Sequence, residues 1–427
     1  MTSATFKEHY DCIVIGAGPG GCATAALVAE AGFQTLLVER ESLPRFHVGE
    51  SLMPEAYWCF ERLGLLDKMR ESTFIRKKSV QFVSHSGRES NPFFFEQHDP
   101  RENSTTWQVE RSEFDKMLFD HAAEYGADCR DETRVLDVLF DDDQANGVKL
   151  QTSDGDTLSI PCKVVVDATG LSALLANKMD LKQDDPDLRK IAVWSYFKNA
   201  AREPGPHGGA TIILHTEHKD SWFWFIPLQD NITSIGVVGD RDYLLQGQRS
   251  PEEIFAAELN LCAAMQEKLV QAQSCDKYRV AREFSYTTSR QSGPGWVLVG
   301  DAFGFIDPIY SSGVYFALKS GELAADAITA GLKNNDLSAE QLGSWIPGYG
   351  DGTQWIRKLV DAYYANPFSF GQFLKKHPQY TGALTDLLIG RIFHAEAGRI
   401  FDDLDPAIQD ALKMDEKLHN PSDTSNH

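Results

Sequence analysis

Gly16-Ala17-Gly18-Pro19-Gly20-Gly21 constrains the fold of this chain more than any other segment, because it lies directly between an apolar strand over 11–15 and a helix expected over 21–31. A second apolar strand, over 35–38, ends at Glu39. Strand, glycine turn, helix and strand in this order make a β-α-β unit, the start of an open parallel sheet. The spaced glycines have separate tasks: the first permits the tight turn, the second lets the backbone approach a pyrophosphate, and the third lets helix and strand pack closely. The helix N-terminus then points free N–H groups at the phosphates, and an acid at the end of the second strand accepts ribose hydroxyls. Gly16, Gly18, Gly21 and Glu39 are assigned to a dinucleotide on these grounds.

Composition narrows the class. A chain of 427 residues is long enough for roughly two or three lobes, and 42% hydrophobic with 24% charged residues is ordinary for a globular enzyme. A formal net charge of -21 argues against a nucleic-acid partner, since a phosphate backbone demands a basic face. The seven cysteines are scattered and include no Cys-x-x-Cys pair, as expected of reduced thiols. The first residues lack a basic segment followed by an apolar one, and no uninterrupted apolar stretch reaches bilayer length. The expected location is therefore cytoplasmic, without a membrane partner. His215 and His218 are the one close histidine pair; lacking a third ligand, they are read as solvent-side residues and no metal is expected.

Beyond the opening unit, helical spacing is expected over 54–69 and 111–125, a hairpin over 134–140 and 148–152, and buried strands over 163–167 and 296–300. Four strand-like runs, 192–197, 210–215, 222–227 and 232–238, predict an antiparallel meander covered by a helix near 251–272. A long helix follows over 313–332, and 338–415 is helical in periodicity and rich in aromatics. The expected fold is α/β and Rossmann-like, with dinucleotide-binding segments over 1–73, 106–190 and 286–335 and an excursion into a second sheet over 74–105. It adds an antiparallel-sheet substrate region over 191–285, a helical covering region over 336–419 and a disordered tail over 420–427.

Later segments indicate which dinucleotide. Asp167-Ala168-Thr169-Gly170 and Gly300-Asp301-Ala302, each after an expected strand, resemble segments of flavoproteins of the p-hydroxybenzoate hydroxylase class. The resemblance implies that fold and FAD as cofactor, with Asp301 beside the ribityl chain and Arg111, in Gln108-Val109-Glu110-Arg111, reaching the cofactor. No second Gly-x-Gly-x-x-Gly follows a strand, so a dedicated NAD(P)H domain is not expected and a separate flavin reductase is implied.

Trp222-Phe223-Trp224-Phe225-Ile226-Pro227 reads by itself as a buried strand of alternating aromatics. Among flavin segments it resembles the Trp-x-Trp-x-Ile-Pro signature of flavin-dependent halogenases, in which bulky indoles keep the organic substrate from the isoalloxazine. Phe305-Ile306-Asp307-Pro308-Ile309-Tyr310-Ser311-Ser312-Gly313 fits a second halogenase pattern, Phe-x-x-Pro-x-x-Ser-x-Gly. Arg45-Phe46-His47-Val48-Gly49-Glu50-Ser51-Leu52-Met53-Pro54 looks like the corresponding segment of halogenases acting on phenols and pyrroles. The chain is thus similar to FAD-dependent halogenases of the phenol and pyrrole type over nearly its whole length.

That resemblance implies that reduced FAD, oxygen and chloride or bromide yield hypohalous acid, which halogenates a small electron-rich arene, free or borne on a carrier protein. Ser312 and Gly313 would hold the halide at the start of a helix, where free amides and the helix dipole suit a small anion. Ser311 or Ser312 could equally cap that helix. Lys77 would deliver the halogen, with Lys78 as its rival, and Trp222 and Trp224 complete the catalytic set. The chain departs from the family pattern at Ser79, where a glycine is usual, and at Val83-Ser84, where Trp-Gly is usual. Tyr310 stands where tryptophan halogenases carry a glutamate, which points away from tryptophan as substrate. Leu359 to Tyr364 and Phe368-Ser369-Phe370 resemble the segment that covers the substrate cavity. The alternatives are a monooxygenase or dehydrogenase of the same superfamily, or a non-catalytic flavin-binding or carrier-interacting module.

Overall fold

A computed structural model describes residues 6–282, 285–365, 367–394 and 396–419; the expected disordered tail lies outside them. The first sheet is built on the opening unit. Tyr10–Ile15 pairs in parallel with Thr35–Val38 on one side and with the long strand Thr157–Asp167 on the other. Trp296–Leu298 extends the parallel set beyond Thr157–Asp167, and Asp128–Arg130 extends it beyond Thr35–Val38. Tyr10–Ile15 is covered on both faces, which is why it reads as an almost unbroken apolar run. The expected hairpin is present as Arg134–Asp141 against Gln144–Gln151.

Behind this sheet the helix Pro19–Glu30 crosses the helix Gly313–Asn334 at very close range. A Cβ on Gly20 would lie 2.9 Å from the Ala317 carbonyl oxygen, and one on Gly321 would lie 2.5 Å from the Gly20 carbonyl oxygen. The glycine turn is thereby pinned to a helix nearly three hundred residues later in the chain, and the N-terminus of that helix comes to the same place as the turn.

The second sheet runs in the order Gln273–Ser274, Lys190–Lys198, Ile232–Asp240, Ser221–Pro227, Thr211–His215, Ser79–Val83, Phe93–Phe94. This corrects the simple meander. The three strands from Thr211 to Asp240 do meander, but Lys190–Lys198 pairs with Ile232–Asp240, not with Thr211–His215. Residues 216–220 and 228–231 are short enough to force their flanking strands together, whereas residues 199–210 contain a 3-10 turn and carry the chain across the sheet. The excursion after residue 74 joins this sheet as expected, since Ser79–Val83 lies parallel to Thr211–His215.

Two expected helices are each broken in two. Residues 54–69 form Ala56–Arg62 and Leu66–Glu71, divided at Gly64 with φ +68°, and the helix expected over 251–272 is Pro251–Leu259 followed by Ala263–Leu269. Phe223 and Phe225 point from the second sheet into the core under that pair, with Phe223 edge-on to Phe255 at 5.4 Å. Trp222, Trp224 and Ile226 point the other way. Helices Ile346–Tyr364, Phe370–Lys376, Thr381–Ile389 and Phe401–His419 make up the C-terminal region. Among the described residues no helix is long and apolar enough to cross a membrane, and all seven cysteines are free.

Candidate active site

A cavity of about 400 Å³ runs between the two sheets. At one end is the glycine turn. Gly16 adopts φ +103° and donates its N–H to the Val38 carbonyl at 2.8 Å, which closes the turn against the second strand. A Cβ on Gly21 would lie 1.9 Å from the Gly16 carbonyl oxygen, so helix and strand meet there with no room for a side chain. Gly18 differs: it lines the cavity, and a Cβ on it would meet nothing within 4 Å. The backbone at Gly18 is bare toward open space, as close approach to a phosphate requires.

Glu39 is buried, and its carboxylate accepts the Ala17 N–H at 3.1 Å while Arg45 approaches the same oxygen at 3.3 Å. Arg111 is held in place, with two hydrogen bonds to Asp115 at 2.8 and 3.0 Å and Nη1 donating to the Val48 carbonyl at 2.6 Å. Asp301 also lines the cavity. Burial pushes its carboxyl up to about 6, Arg111 pulls the other way, and no protein donor reaches its carboxylate among the described residues. An acceptor of that kind, bare toward a cavity, suits a chain of hydroxyls such as the ribityl group. These residues fit FAD.

At the other end stand the indoles. Trp222 and Trp224 line the cavity from one face of Ser221–Pro227, because strand residues two apart share a face. Gly236 on the neighbouring strand makes room: a Cβ there would sit 2.3 Å from Trp224 Cζ2 and 2.6 Å from the Trp194 Cβ. Trp222 Nε1 donates to Tyr364 Oη at 2.9 Å and Trp224 Nε1 to Ser234 Oγ at 3.1 Å.

The helix Gly313–Asn334 enters the cavity wall with its N-terminus. Ser312 occupies the cap position but its side chain makes no capping hydrogen bond. The first helical bond runs from the Phe316 N–H to the Ser312 carbonyl, which leaves the preceding amides without intrahelical acceptors. Ser311, at φ +60°, and Gly313 face the cavity, while Ser312 is buried away from it.

Lys77 is 4% exposed, whereas Lys78 is half-buried. Thr106–Gln108 explains the placement, since it pairs with Ile75–Lys77 on one edge and bridges Ser51 on the other. Lys77 Nζ donates to Ser51 Oγ at 2.8 Å and to the Leu52 carbonyl at 3.1 Å. Burial pushes this amine down to about 7.

The FAD binding domain family matches residues 9–334 of this chain. A 1H-pyrrole-2-carbonyl-[peptidyl-carrier protein] brominase of Pseudoalteromonas luteoviolacea is 30% identical over 394 residues, covering 91% of this chain and 94% of the relative. The chain belongs to the FAD-dependent halogenases. The corresponding chlorinase of Pseudomonas fluorescens is 28% identical over 417 residues, covering 93% and 92%. The solved structure of a flavin-dependent brominase superposes with a TM-score of 0.84 at 28% identity, covering 95% of this halogenase and 100% of that chain.

Several groups in and beside the cavity wall of this halogenase are not singled out by the sequence motifs. Glu50, beside Ser51 in the quoted Gly-Glu-Ser segment, is pushed up to about 7 by burial, against hydrogen bonds from Tyr196 and Ser234. Because Ser234 also accepts the Trp224 indole, Glu50, Ser234 and Trp224 form one network. Asp307, inside the second motif, accepts the Ile309 N–H at 2.9 Å and the Tyr364 hydroxyl at 3.0 Å, and burial pushes it up to about 6. Thr211 and Trp194 line the cavity from expected strands, and only alternation along the strand could have singled them out. His215 is a correction. It is half-buried and stacked on Tyr363 at 5.1 Å, and burial pushes its imidazole down to about 4, because the end of helix Ile346–Tyr364 lies against the end of Thr211–His215; His218 is exposed. No metal-binding cluster is present among the described residues.

Proposed function

We propose that this halogenase acts on an electron-rich arene of the phenol or pyrrole class, with Trp222 and Trp224 as the partition and Lys77 as the residue that directs the hypohalous acid. One observation carries the reading: the two indoles, the glycine turn, the helix end at Gly313 and the Ser51 hydroxyl that holds Lys77 all border a single cavity. When bound, reduced FAD supplies with oxygen the oxidising power that turns halide into hypohalous acid.

The protein's contribution is separation and orientation. Gly18 and the helix behind it receive the pyrophosphate, Glu39 the ribose, and Asp301 with Arg111 the ribityl region. The uncapped amide at Gly313, in the cavity wall, offers a small anion the positive end of the helix dipole, while Ser312 is turned away from the cavity. Trp222 and Trp224 occupy the space an arene would need to approach the isoalloxazine. Lys77, desolvated and without a counter-charge among the described residues, holds its proton loosely enough near neutrality to serve the oxidant.

Both pyrrole-carbonyl relatives are named for a substrate on a peptidyl carrier protein, which supports testing a carrier-borne pyrrole beside free phenols. Electrons would come from a separate flavin reductase, since the sole Gly-x-Gly-x-x-Gly is committed to FAD. Seven free cysteines favour a reducing compartment, the cytoplasm. The test supplies reductase, NADH and bromide or chloride with each arene and follows the product mass. Halide-dependent halogenation is expected, with Lys77→Ala retaining oxygen consumption but losing product and Lys78→Ala close to wild type. Hydroxylated product without halide would overturn the reading, and rapid arene-stimulated flavin bleaching by NADPH alone would remove the reductase.

A further inference from the structure

Lys77 itself does not line the cavity; Ser51 and Thr211 do. Their hydroxyl oxygens are 2.8 Å apart. Ser51 receives a hydrogen bond from Lys77 Nζ at 2.8 Å, and Thr211 receives one from Gln108 Nε2 at 2.8 Å. Gln108 is locked in that orientation because the same nitrogen also donates to the Gly209 carbonyl at 3.1 Å.

The hydrogens can be counted. Two hydroxyls bring one hydrogen each, and each oxygen already accepts one from outside the pair. One hydroxyl hydrogen bridges the two oxygens, and the other has no protein acceptor among the described residues. When Thr211 donates to Ser51, the free hydrogen is that of Ser51, on an oxygen that borders the cavity. The Lys77 amine lies behind it, closed in by Ser51 and the Leu52 carbonyl, with the Phe95 ring 5.9 Å away.

From this geometry we infer that Lys77 acts through Ser51, as the proton source for the oxygen of hypohalous acid, and does not itself carry the halogen. The inference rests on the assignment of Lys77 in the proposed function. As the arene carbon bonds to the halogen, the halogen–oxygen bond breaks and its electron pair stays on oxygen. That oxygen takes the Ser51 hydroxyl proton and leaves as water, while Ser51 takes a proton from the Lys77 ammonium. The proton lost from the ring carbon when aromaticity returns restores the ammonium by the reverse route. Hypohalous acid and arene become halogenated arene and water, with the halogen reduced and the carbon oxidised. Thr211 is a positioning residue that keeps the Ser51 hydrogen turned to the cavity.

The experiment uses the FAD-loaded enzyme with reductase, bromide and an accepted arene, and compares wild type with Lys77→Met, Ser51→Ala, Ser51→Thr and Ser51→Val. Product, oxygen consumed, bound FAD and the solvent deuterium isotope effect on halogenation are measured. Thr and Val add the same branch at position 51, so any strain cancels between them and only the hydroxyl differs. Ser51→Ala and Ser51→Val should lose about a hundredfold in product per oxygen consumed while keeping FAD. Ser51→Thr should recover most of it together with the isotope effect. Equal product from Ser51→Thr and Ser51→Val, with Lys77→Met inactive, would overturn the relay and leave the assignment of Lys77 standing. An active Lys77→Met would overturn that assignment itself.

Discussion

Trp222 donates its indole N–H to Tyr364 at 2.9 Å, and Tyr364 donates in turn to Asp307 at 3.0 Å. Three parts of the chain far apart in sequence meet in this relationship: the wall strand of the second sheet, the last residue of the helix Ile346–Tyr364, and the loop that leads to the helix end at Gly313. The C-terminal region is thus bonded to the indole wall of the cavity as well as lying over it.

Tyr364→Phe should loosen that indole wall. The substitution leaves a buried indole N–H without its acceptor and a buried carboxylate without one of its donors, a cost of about 1–3 kcal/mol. A lower melting temperature is expected, with a smaller yield of halogenated product per oxygen consumed and FAD binding retained. Both unchanged would mean that packing alone holds Trp222.

Gly18 and Gly21 should separate binding from folding. A Cβ at Gly18 meets no atom within 4 Å, so Gly18→Val should give a folded protein that purifies without yellow colour, because the side chain enters the phosphate space. Gly21→Ala drives a Cβ to 1.9 Å from a backbone oxygen and should lower stability before any question of cofactor arises. Circular dichroism melts and the flavin absorbance of each variant distinguish the two. A yellow Gly18→Val protein would remove the pyrophosphate from that position.

Glu50 should give the stability a pH dependence of known sign. Its carboxyl is pushed up to about 7 in the folded chain from an ordinary 4.5, so the native state keeps a proton that the unfolded state releases earlier. The contribution is therefore complete below the unfolded pKa and is lost as pH rises through about 7, to the extent of about 3 kcal/mol. Glu50→Gln is neutral throughout and should gain in melting temperature relative to wild type between about pH 5 and about pH 9. A constant difference across that range would show that Glu50 is not held protonated.

Gly236→Ala should disturb the indole wall from the other side. Its Cβ would meet the Trp224 ring at 2.3 Å, so the indole must move or the strand must shift. A loss of about 1–3 kcal/mol in stability is expected, with a change in the fluorescence of Trp224, isolated by comparison with Trp224→Phe. Unaltered emission and stability would mean that the indole has room to retreat.

Much of the cofactor end was legible in the sequence, because the physics there is local. The turn needs Gly16 and Gly21 within a few residues of each other, and the alternation of Trp222 and Trp224 puts both on one face wherever the strand ends up. The order of the second sheet was not legible, since only the short turns at 216–220 and 228–231 dictate neighbours and the longer connection before Thr211 does not.

What the tertiary structure decided is which polar groups are taken out of water and what they meet there. Lys77 and Lys78 are chemically the same residue in sequence; strand pairing with Thr106–Gln108 buries the first beside Ser51 and leaves the second half-buried. His215 becomes a neutral stacked ring only because Tyr363 is brought over it. Desolvation depends on every neighbour at once, and the neighbours of Lys77, Glu50 and Asp307 come from segments that no local pattern connects.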